Sequence, residues 1–264
     1  MTTAAIARWQ RGELVPEDRG DRGPSEVLAA DSWLVVEGQV LALELHRSRF
    51  VDAVAGRVDA ASVTAFWDAA VAALPRSGDW FPRVELLSSA GTPALLLRLR
   101  PAPERVRSIR LASHRGPDPR TVPGVKGPAT EALARARTTV QALGADEAVI
   151  LSPEGYVVEG AFSAMLWWRG EVICAPSLDL ARVDSVTARS VLALATALGV
   201  EVHFESVTPA ELDGLEIWSV SALHGIRIVT SWTAGPQPAE QPGRLATWRG
   251  RLDRLRRPLP ELDD

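Results

Sequence analysis

The feature that most constrains the fold is a break near the middle of the chain, at residues 113–124. This stretch contains three prolines and two glycines. Proline lacks a backbone N–H and disfavours helical geometry in the residue before it, so neither a regular helix nor an interior strand can pass through the stretch. We therefore predict an interdomain loop at residues 113–125, between an N-terminal domain at residues 1–112 and a C-terminal domain at residues 126–264.

Short apolar runs on both sides of this loop alternate with turn residues and with a few helical stripes. Residues 1–30 predict an irregular lead-in, and strands and two helices follow it. Beyond the loop, a helix is expected to start at Pro128 and another at Ala188, with Thr187 as its N-cap. The sequence therefore predicts an α+β fold, with a small N-terminal α/β domain and a larger β-rich C-terminal domain flanked by helices.

The composition argues against several classes of protein. The net charge of −4 is not that of a general nucleic-acid binder. The single cysteine, Cys174, excludes an internal disulfide framework and fits a reducing compartment. We recognise no signal peptide, no apolar run of membrane-spanning length, and no Cys/His cluster of the kind that binds metal. We expect a cytoplasmic protein without a metal, a membrane or a nucleic acid as partner.

Lys126 is the only lysine in the chain, and the other basic side chains are arginines. A solvated surface tolerates either cation, whereas a site that needs an amine nucleophile requires lysine. A guanidinium group stays protonated and cannot form an imine, but an ammonium group can lose its proton when it is partly desolvated. Lys126 is therefore a candidate nucleophile. The alternative is that Lys126 lies on a loop by chance and has no functional role.

Five short motifs follow one another along the chain in a family-specific order. They are His46-Arg-Ser-Arg49-Phe50, the lysine Lys126, Val158-Glu159-Gly160-Ala-Phe-Ser163, Val186-Thr187-Ala188-Arg189, and Ser219-Val-Ser221-Ala-Leu-His-Gly-Ile. Together they resemble the class IV aminotransferases, which are the fold-type IV enzymes dependent on pyridoxal 5'-phosphate (PLP). This family comprises branched-chain and D-amino-acid transaminases and 4-amino-4-deoxychorismate lyases. The resemblance implies a two-domain fold-type IV enzyme that assembles as a homodimer.

The resemblance also implies a role for each matching residue. Lys126 would bind the cofactor as an imine and move protons, and Glu159 would pair with the pyridine nitrogen. The residues that would bind the cofactor phosphate are Arg49, Val186, Thr187, Ser221 and Ala222. Other interpretations remain open, because Glu159 could be an edge-strand carboxylate, Thr187 an ordinary N-cap and Arg49 a solvated arginine.

The chain departs from the family pattern at two places. Many members carry a tyrosine a few residues after the lysine, where this chain has Thr130 and Glu131. Many also have Ser-Asn where this chain has Ser163 followed by Ala164. These differences concern the support of the cofactor ring and leave the imine chemistry intact.

Three further residues are candidates for substrate contact, namely His224, Arg227 and Ser163. A loop with a possible proton donor, His224, and a cation, Arg227, favours an aminodeoxychorismate lyase, which forms 4-aminobenzoate and pyruvate for folate biosynthesis. The alternatives are an amino-acid transaminase and a catalytically inactive protein with the same fold. Arg98 and Arg100 alternate along one strand, where they could either receive a substrate carboxylate or lie on an exposed edge.

Overall fold

A computed structural model describes residues 5–17, 25–89 and 91–261 of the protein. Its contacts divide the chain into two compact units. Unit 1 comprises Met1–Glu104, Val125–Pro128 and Leu255–Asp264, and unit 2 comprises Arg105–Gly124 and Ala129–Arg254. Lys126 therefore belongs to unit 1, whereas the sequence assigned it to the start of the second domain. The predicted domain boundaries themselves stay a prediction.

The described residues of unit 1 form two antiparallel sheets and two helices. The larger sheet has the strand order β2-β1-β8-β7-β3 and the smaller one β17-β5-β4-β6. The strands are β1 (Ala5–Gln10), β2 (Glu13–Pro16), β3 (Glu26–Ser32), β4 (Val35–Val36), β5 (Gln39–Val40), β6 (Asp79–Trp80), β7 (Arg83–Ser89), β8 (Thr92–Leu99) and β17 (Arg257–Pro258), and the helices are α1 (Leu43–Val54) and α2 (Ala60–Ala72). One buried core joins the larger sheet to both helices, and its aromatic centre is formed by Trp33, Phe50, Phe66 and Trp67.

The prediction of an irregular lead-in is wrong for the described part of residues 1–30. Strands β1 and β2 form a hairpin, and β3 begins at Glu26. Arg11 and Gly12 both have positive φ, at 52° and 87°, which is the geometry of a tight hairpin turn. The glycine therefore connects two strands instead of ending regular structure. Residues 1–4 and 18–24 of the predicted lead-in lie outside the described residues.

Unit 2 is built on an eight-stranded mixed sheet with the order β11-β10-β9-β16-β15-β12-β13-β14. Its elements are β9 (Ser108–Ser113), α3 (Thr130–Gln141), β10 (Glu147–Leu151), β11 (Val157–Gly160), β12 (Ala164–Arg169), β13 (Val172–Pro176), α4 (Val186–Ala197), β14 (Val202–Glu205), β15 (Glu216–Ser221), β16 (Gly225–Thr233) and α5 (Arg244–Asp253). Three antiparallel hairpins connect neighbouring strands, because β10 pairs with β11, β12 with β13, and β15 with β16.

Two predicted helix starts are wrong by two residues. Helix α3 begins at Thr130, because Pro128 belongs to the segment that packs with unit 1. Helix α4 begins at Val186, and its N-cap is Ser185, whose hydroxyl accepts a hydrogen bond from the Ala188 N–H at 3.2 Å. Thr187 is therefore an internal residue of the first turn. Across the described ranges, every helix is too short or too polar to cross a membrane.

Candidate active site

The backbone of Lys126 is anchored to strand β3 in unit 1. The Ala30 N–H donates a 2.7 Å hydrogen bond to the Lys126 carbonyl oxygen. The next residue, Gly127, has φ of 130° and lies so close to β3 that an added Cβ would be 2.8 Å from the Ala30 nitrogen. Only glycine fits this approach without strain. The position of the candidate nucleophile is thus set by a glycine and a strand, and its side chain is half-buried.

A buried cluster on the same strand holds the candidate phosphate-binding arginine. Asp31 lies at the end of β3 and is fully buried. Its carboxylate accepts hydrogen bonds from Arg49 Nε and Nη2, both at 2.8 Å, and from His46 Nδ1 at 2.8 Å. Arg49 and His46 face Asp31 together because they are three residues apart on α1. Arg49 is therefore an oriented cation and not a solvated helix arginine.

Electrostatics links this cluster to Lys126. Burial alone would raise the pKa of Asp31, but the charges of His46 and Arg49 and their hydrogen bonds hold that pKa well below its usual range. Burial lowers the pKa of His46, Asp31 opposes this, and the charges of Arg49 and Lys126 lower it further. A neutral imidazole then donates its Nδ1 proton to the carboxylate. Strand β3 thus brings two predicted site residues, Lys126 and Arg49, into one electrostatic environment.

In unit 2, Glu159 lies on β11 and is buried. Arg120 donates from Nη1 to Glu159 Oε1, and its Nε and Nη2 donate to the Asp118 carboxylate at 2.9 and 2.7 Å. Burial opposes the charge of Arg120, but hydrogen bonding to Asp118 and the charge of Glu159 raise its pKa overall. Glu159 is thus the end of a chain of three charged groups that runs from the exposed Asp118 through the buried Arg120, and the sequence predicted only this last member.

Two backbone turns in unit 2 carry the other predicted phosphate ligands. Val186 and Thr187 form the first turn of α4, where backbone N–H groups lack partners within the helix and attract anions. Ser221 ends β15, and its hydroxyl accepts a 3.4 Å hydrogen bond from the His224 N–H across the turn that contains Ala222. Both turns can present N–H and O–H donors to an anion, and their role toward a cofactor stays a prediction.

Ser163 and Arg227, two predicted substrate residues, are joined inside unit 2 by a buried polar network. Arg227 Nη2 donates to Glu147 Oε2 at 3.0 Å and to Ser219 Oγ at 2.9 Å. The Ser163 hydroxyl donates to Glu147 Oε1 at 2.9 Å and accepts from Ser219 Oγ at 2.9 Å. Burial lowers the pKa of Arg227, while Glu147 opposes the shift. Both side chains thus have internal partners, and their contact with substrate stays a prediction.

His224 lies in the turn between β15 and β16, in a strongly cationic environment. Its Nδ1 accepts a 3.3 Å hydrogen bond from the Val106 N–H, so the neutral ring carries its proton on Nε2. Burial and the neighbouring arginines Arg227, Arg137, Arg249 and Arg105 lower its pKa to about 4. The imidazole is therefore neutral at pH 7, and its proton-donating capacity is that of a weak hydrogen-bond donor.

A second group of charges lies on the larger sheet of unit 1. Glu85 is buried and accepts hydrogen bonds from Arg83 Nε at 2.7 Å and from Arg98. Arg100 donates to the Phe81 carbonyl at 2.9 Å. Arg98 does not lie on an edge strand, because β8 is the third of five strands, and Arg100 directly follows the end of β8. Three arginines around one carboxylate leave a net positive region on this sheet.

Several structurally important residues were missed by sequence reasoning. Arg120 and Asp118 lie in the proline-rich stretch, which was interpreted only as a linker, and Asp31 was assigned only to a strand. The sequence Asp118-Pro119-Arg120 is a local signal for the pairing of Arg120 with Asp118, since an acidic and a basic residue two positions apart can pair across a bend at proline. No comparable signal links Asp31 to Arg49, because the pairing requires α1 to pack against β3.

The chain has structural likenesses among solved proteins. The Thermoproteus uzoniensis branched-chain aminotransferase with norvaline has a TM-score of 0.79 and 19% identity, covering 95% of this chain and 94% of that chain. A fold IV-transaminase from Curtobacterium pusillum has a TM-score of 0.73 and 18% identity, covering 95% of this chain and 99% of that chain. A Brucella abortus aminotransferase bound to the co-factor PLP has a TM-score of 0.77 and 18% identity, covering 95% of this chain and 97% of that chain. At these identities the likeness shows the fold alone, and it confirms the predicted α+β fold of fold-type IV enzymes.

Sequence comparison gives the family. No curated protein matches this chain significantly in sequence. The sequence profile of the family described as Amino-transferase class IV, however, matches residues 28–232. This range covers most of the chain and includes Arg49, Lys126, Glu159 and the turn at Ser221. The match confirms both the predicted family and the predicted enzyme class: the chain belongs to the class IV aminotransferases.

Proposed function

We propose that this enzyme is a PLP-dependent aminotransferase that moves an amino group between an amino acid and a keto acid. One observation carries the proposal: the single lysine, Lys126, is anchored to β3 beside the oriented cation Arg49. The cofactor predicted from the sequence is also the one named for the Brucella structural neighbour. Its electrophilic aldehyde and electron-withdrawing ring would supply the chemistry that side chains lack.

The side chains present fit this cofactor. Lys126 is the amine that can hold an aldehyde. Arg49, with two of its N–H groups committed to Asp31, presents a fixed guanidinium of the kind that binds phosphate. The N-terminal turn of α4 and the turn at Ser221 offer backbone N–H and hydroxyl donors, and Glu159 offers a carboxylate for the ring nitrogen. Each part of the cofactor thus has a chemically matched residue.

In this proposal each residue has a separate task. Lys126 would hold the cofactor through its amine and would also be the base that moves the proton of the substrate α-carbon. Glu159 would accept a hydrogen bond from the ring nitrogen. Arg49 would bind the phosphate and so help to orient the cofactor. Asp31 and His46 act indirectly, because they fix the position of Arg49.

The geometry supports a transaminase over the lyase that the loop sequence favoured. The lyase prediction depended on His224 as a proton donor and on Arg227 as a cation for a dicarboxylate ring. His224 has a pKa of about 4 and is neutral at pH 7. The Arg227 guanidinium is buried against Glu147 and Ser219. Because His224 is neutral and Arg227 is bonded to internal partners, these two residues no longer favour the lyase over the transaminase.

The test combines a covalent and a catalytic measurement. Borohydride reduction of the PLP-loaded protein should fix the cofactor on the peptide that contains Lys126, and Lys126→Ala should abolish the adduct while the protein remains folded. With an amino donor, turnover should require an added keto acid. Aminodeoxychorismate supplied without a keto acid should give no 4-aminobenzoate. Sustained 4-aminobenzoate formation would replace the transaminase by the lyase, and absence of the adduct would remove PLP altogether.

A further inference from the structure

We propose that Arg120, held by Asp118, is a positioning residue that keeps the proton of the Glu159–cofactor contact on the ring nitrogen. The inference rests on the proposed function, because it assumes that Glu159 faces the pyridine nitrogen of PLP. It extends that function to two residues in the proline-rich stretch, which had no assigned role.

The contact between Arg120 and Glu159 is direct and shielded from water. Arg120 is 8% exposed and Glu159 is 6% exposed. Nη1 of the guanidinium donates to Glu159 Oε1, while Nε and Nη2 form a fork with both oxygens of Asp118. A guanidinium gripped on one edge by a carboxylate can present its remaining edge in only one orientation. Asp118 therefore determines where Arg120 meets Glu159.

The other charged groups around Glu159 do not replace this contact. Arg182 is close enough for the charge of Glu159 to affect its pKa, which burial lowers overall. Its guanidinium, however, donates to the backbone carbonyls of Pro176, Ser177 and Leu180. His114 acts on Asp118 through its charge, after the larger effects of burial and Arg120. Arg120 thus bonds directly to Glu159, whereas the guanidinium of Arg182 bonds to backbone carbonyls.

The chemistry of the proposed contact is a choice between two positions of one proton. Either the ring nitrogen carries it and Glu159 is a carboxylate, or Glu159 carries it and the nitrogen is neutral. In a buried site an unpaired carboxylate readily takes up a proton, because burial disfavours the charged form. The positive charge of Arg120 stabilises the carboxylate, so the proton stays on nitrogen. That is the state in which the ring withdraws electrons from the substrate.

The experiment measures the position of the proton without turnover. Wild-type protein and variants are loaded with PLP labelled with ¹⁵N in the ring, and the nitrogen chemical shift is recorded near pH 7. Glu159→Gln provides the unprotonated reference, because its amide can donate to the nitrogen. Arg120→Gln should shift the signal toward this reference, through a change of about tenfold or more in the ratio of the two proton positions. Arg120→Lys should restore much of the wild-type signal.

Controls separate this inference from the proposed function. Arg110→Gln removes another arginine that forks onto an aspartate, Asp146, but at the surface, and should leave the signal unchanged. If Arg120→Gln does not fold, Arg120→Lys serves as the test, because lysine loses its charge near pH 10 whereas arginine does not. At that pH the ¹⁵N signal of Arg120→Lys should lie closer to the Glu159→Gln reference than the wild-type signal does. Identical signals for wild type and Glu159→Gln would overturn the Glu159 assignment itself. If the wild-type signal differs from that of Glu159→Gln, and Arg120→Gln and Arg120→Lys both give the wild-type signal at every pH, the role of Arg120 is overturned and the Glu159 assignment stands.

Discussion

Ala30 and Lys126 are joined by a backbone hydrogen bond of 2.7 Å, in which the strand residue donates to the carbonyl oxygen of the lysine. The neighbouring strand residue, Asp31, bonds to Arg49 and His46. Two consecutive residues of β3 therefore hold the candidate nucleophile and the candidate phosphate cation. The strand acts as a common support, and changes on either side of it should disturb both groups.

The first prediction concerns Gly127, which allows Lys126 to approach β3. Gly127→Ala should reduce the fraction of protein that borohydride fixes to PLP by about tenfold. Its φ of 130° and the 2.8 Å approach of an added Cβ to the Ala30 nitrogen both oppose a side chain. Gly124→Ala is the matched control, because a Cβ there meets no atom within 4 Å and the backbone is not left-handed. Equal labelling of the two variants would contradict the role of the close approach.

The second prediction concerns acid stability and Asp31. The folded pKa of Asp31 lies below the unfolded value of about 3.9, so the ionised group stabilises the fold above that pH, and this stabilisation is lost as pH falls. Asp31→Asn should therefore lower the unfolding free energy by about 3 kcal/mol at pH 7, because Arg49 and His46 lose a buried partner. Urea unfolding should show this difference shrinking below about pH 4. A difference that stays constant down to pH 3 or below would contradict it.

The third prediction concerns the buried pair of Glu147 and Arg227. Arg227→Met should destabilise unit 2 by about 3–5 kcal/mol, because a carboxylate is left in the interior without its cation. Adding Glu147→Gln to this variant should recover part of the loss, since the unpaired charge is then removed. Thermal unfolding of the two single variants and the double variant measures the coupling. Strictly additive effects would show that the two side chains do not interact.

The fourth prediction concerns assembly. The family resemblance implies a homodimer, and the chain also contains nine tryptophans, a residue type enriched at interfaces. Eight of them are buried in the described structure, among them Trp33, Trp167 and Trp218, so the aromatic residues serve the cores of the units. The homodimer prediction now depends on the family resemblance. Light scattering at working concentration should give twice the monomer mass of 28.4 kDa, and a monomer mass would refute it.

The sequence by itself determined the family and most of the strands, and it predicted the nucleophile. Strand and helix patterns depend on local periodicity, which a single chain displays directly. The hairpin β10–β11 and helix α2 illustrate this. Lys126 could be predicted as the nucleophile because imine chemistry requires an amine and the chain contains only one lysine. Local chemistry was sufficient for each of these conclusions.

Only the tertiary structure decided which charges pair with which. The carboxylate of Asp31 meets Arg49 because α1 packs on β3, and Arg120 meets Glu159 across 39 positions of sequence. Such pairings depend on contacts between distant segments, which periodicity does not encode. Contacts of this kind also pair Arg227 with Glu147 and place Lys126 in unit 1. The pKa values of Asp31 and His224 likewise depend on desolvation and on neighbouring charges, which exist only in the folded chain.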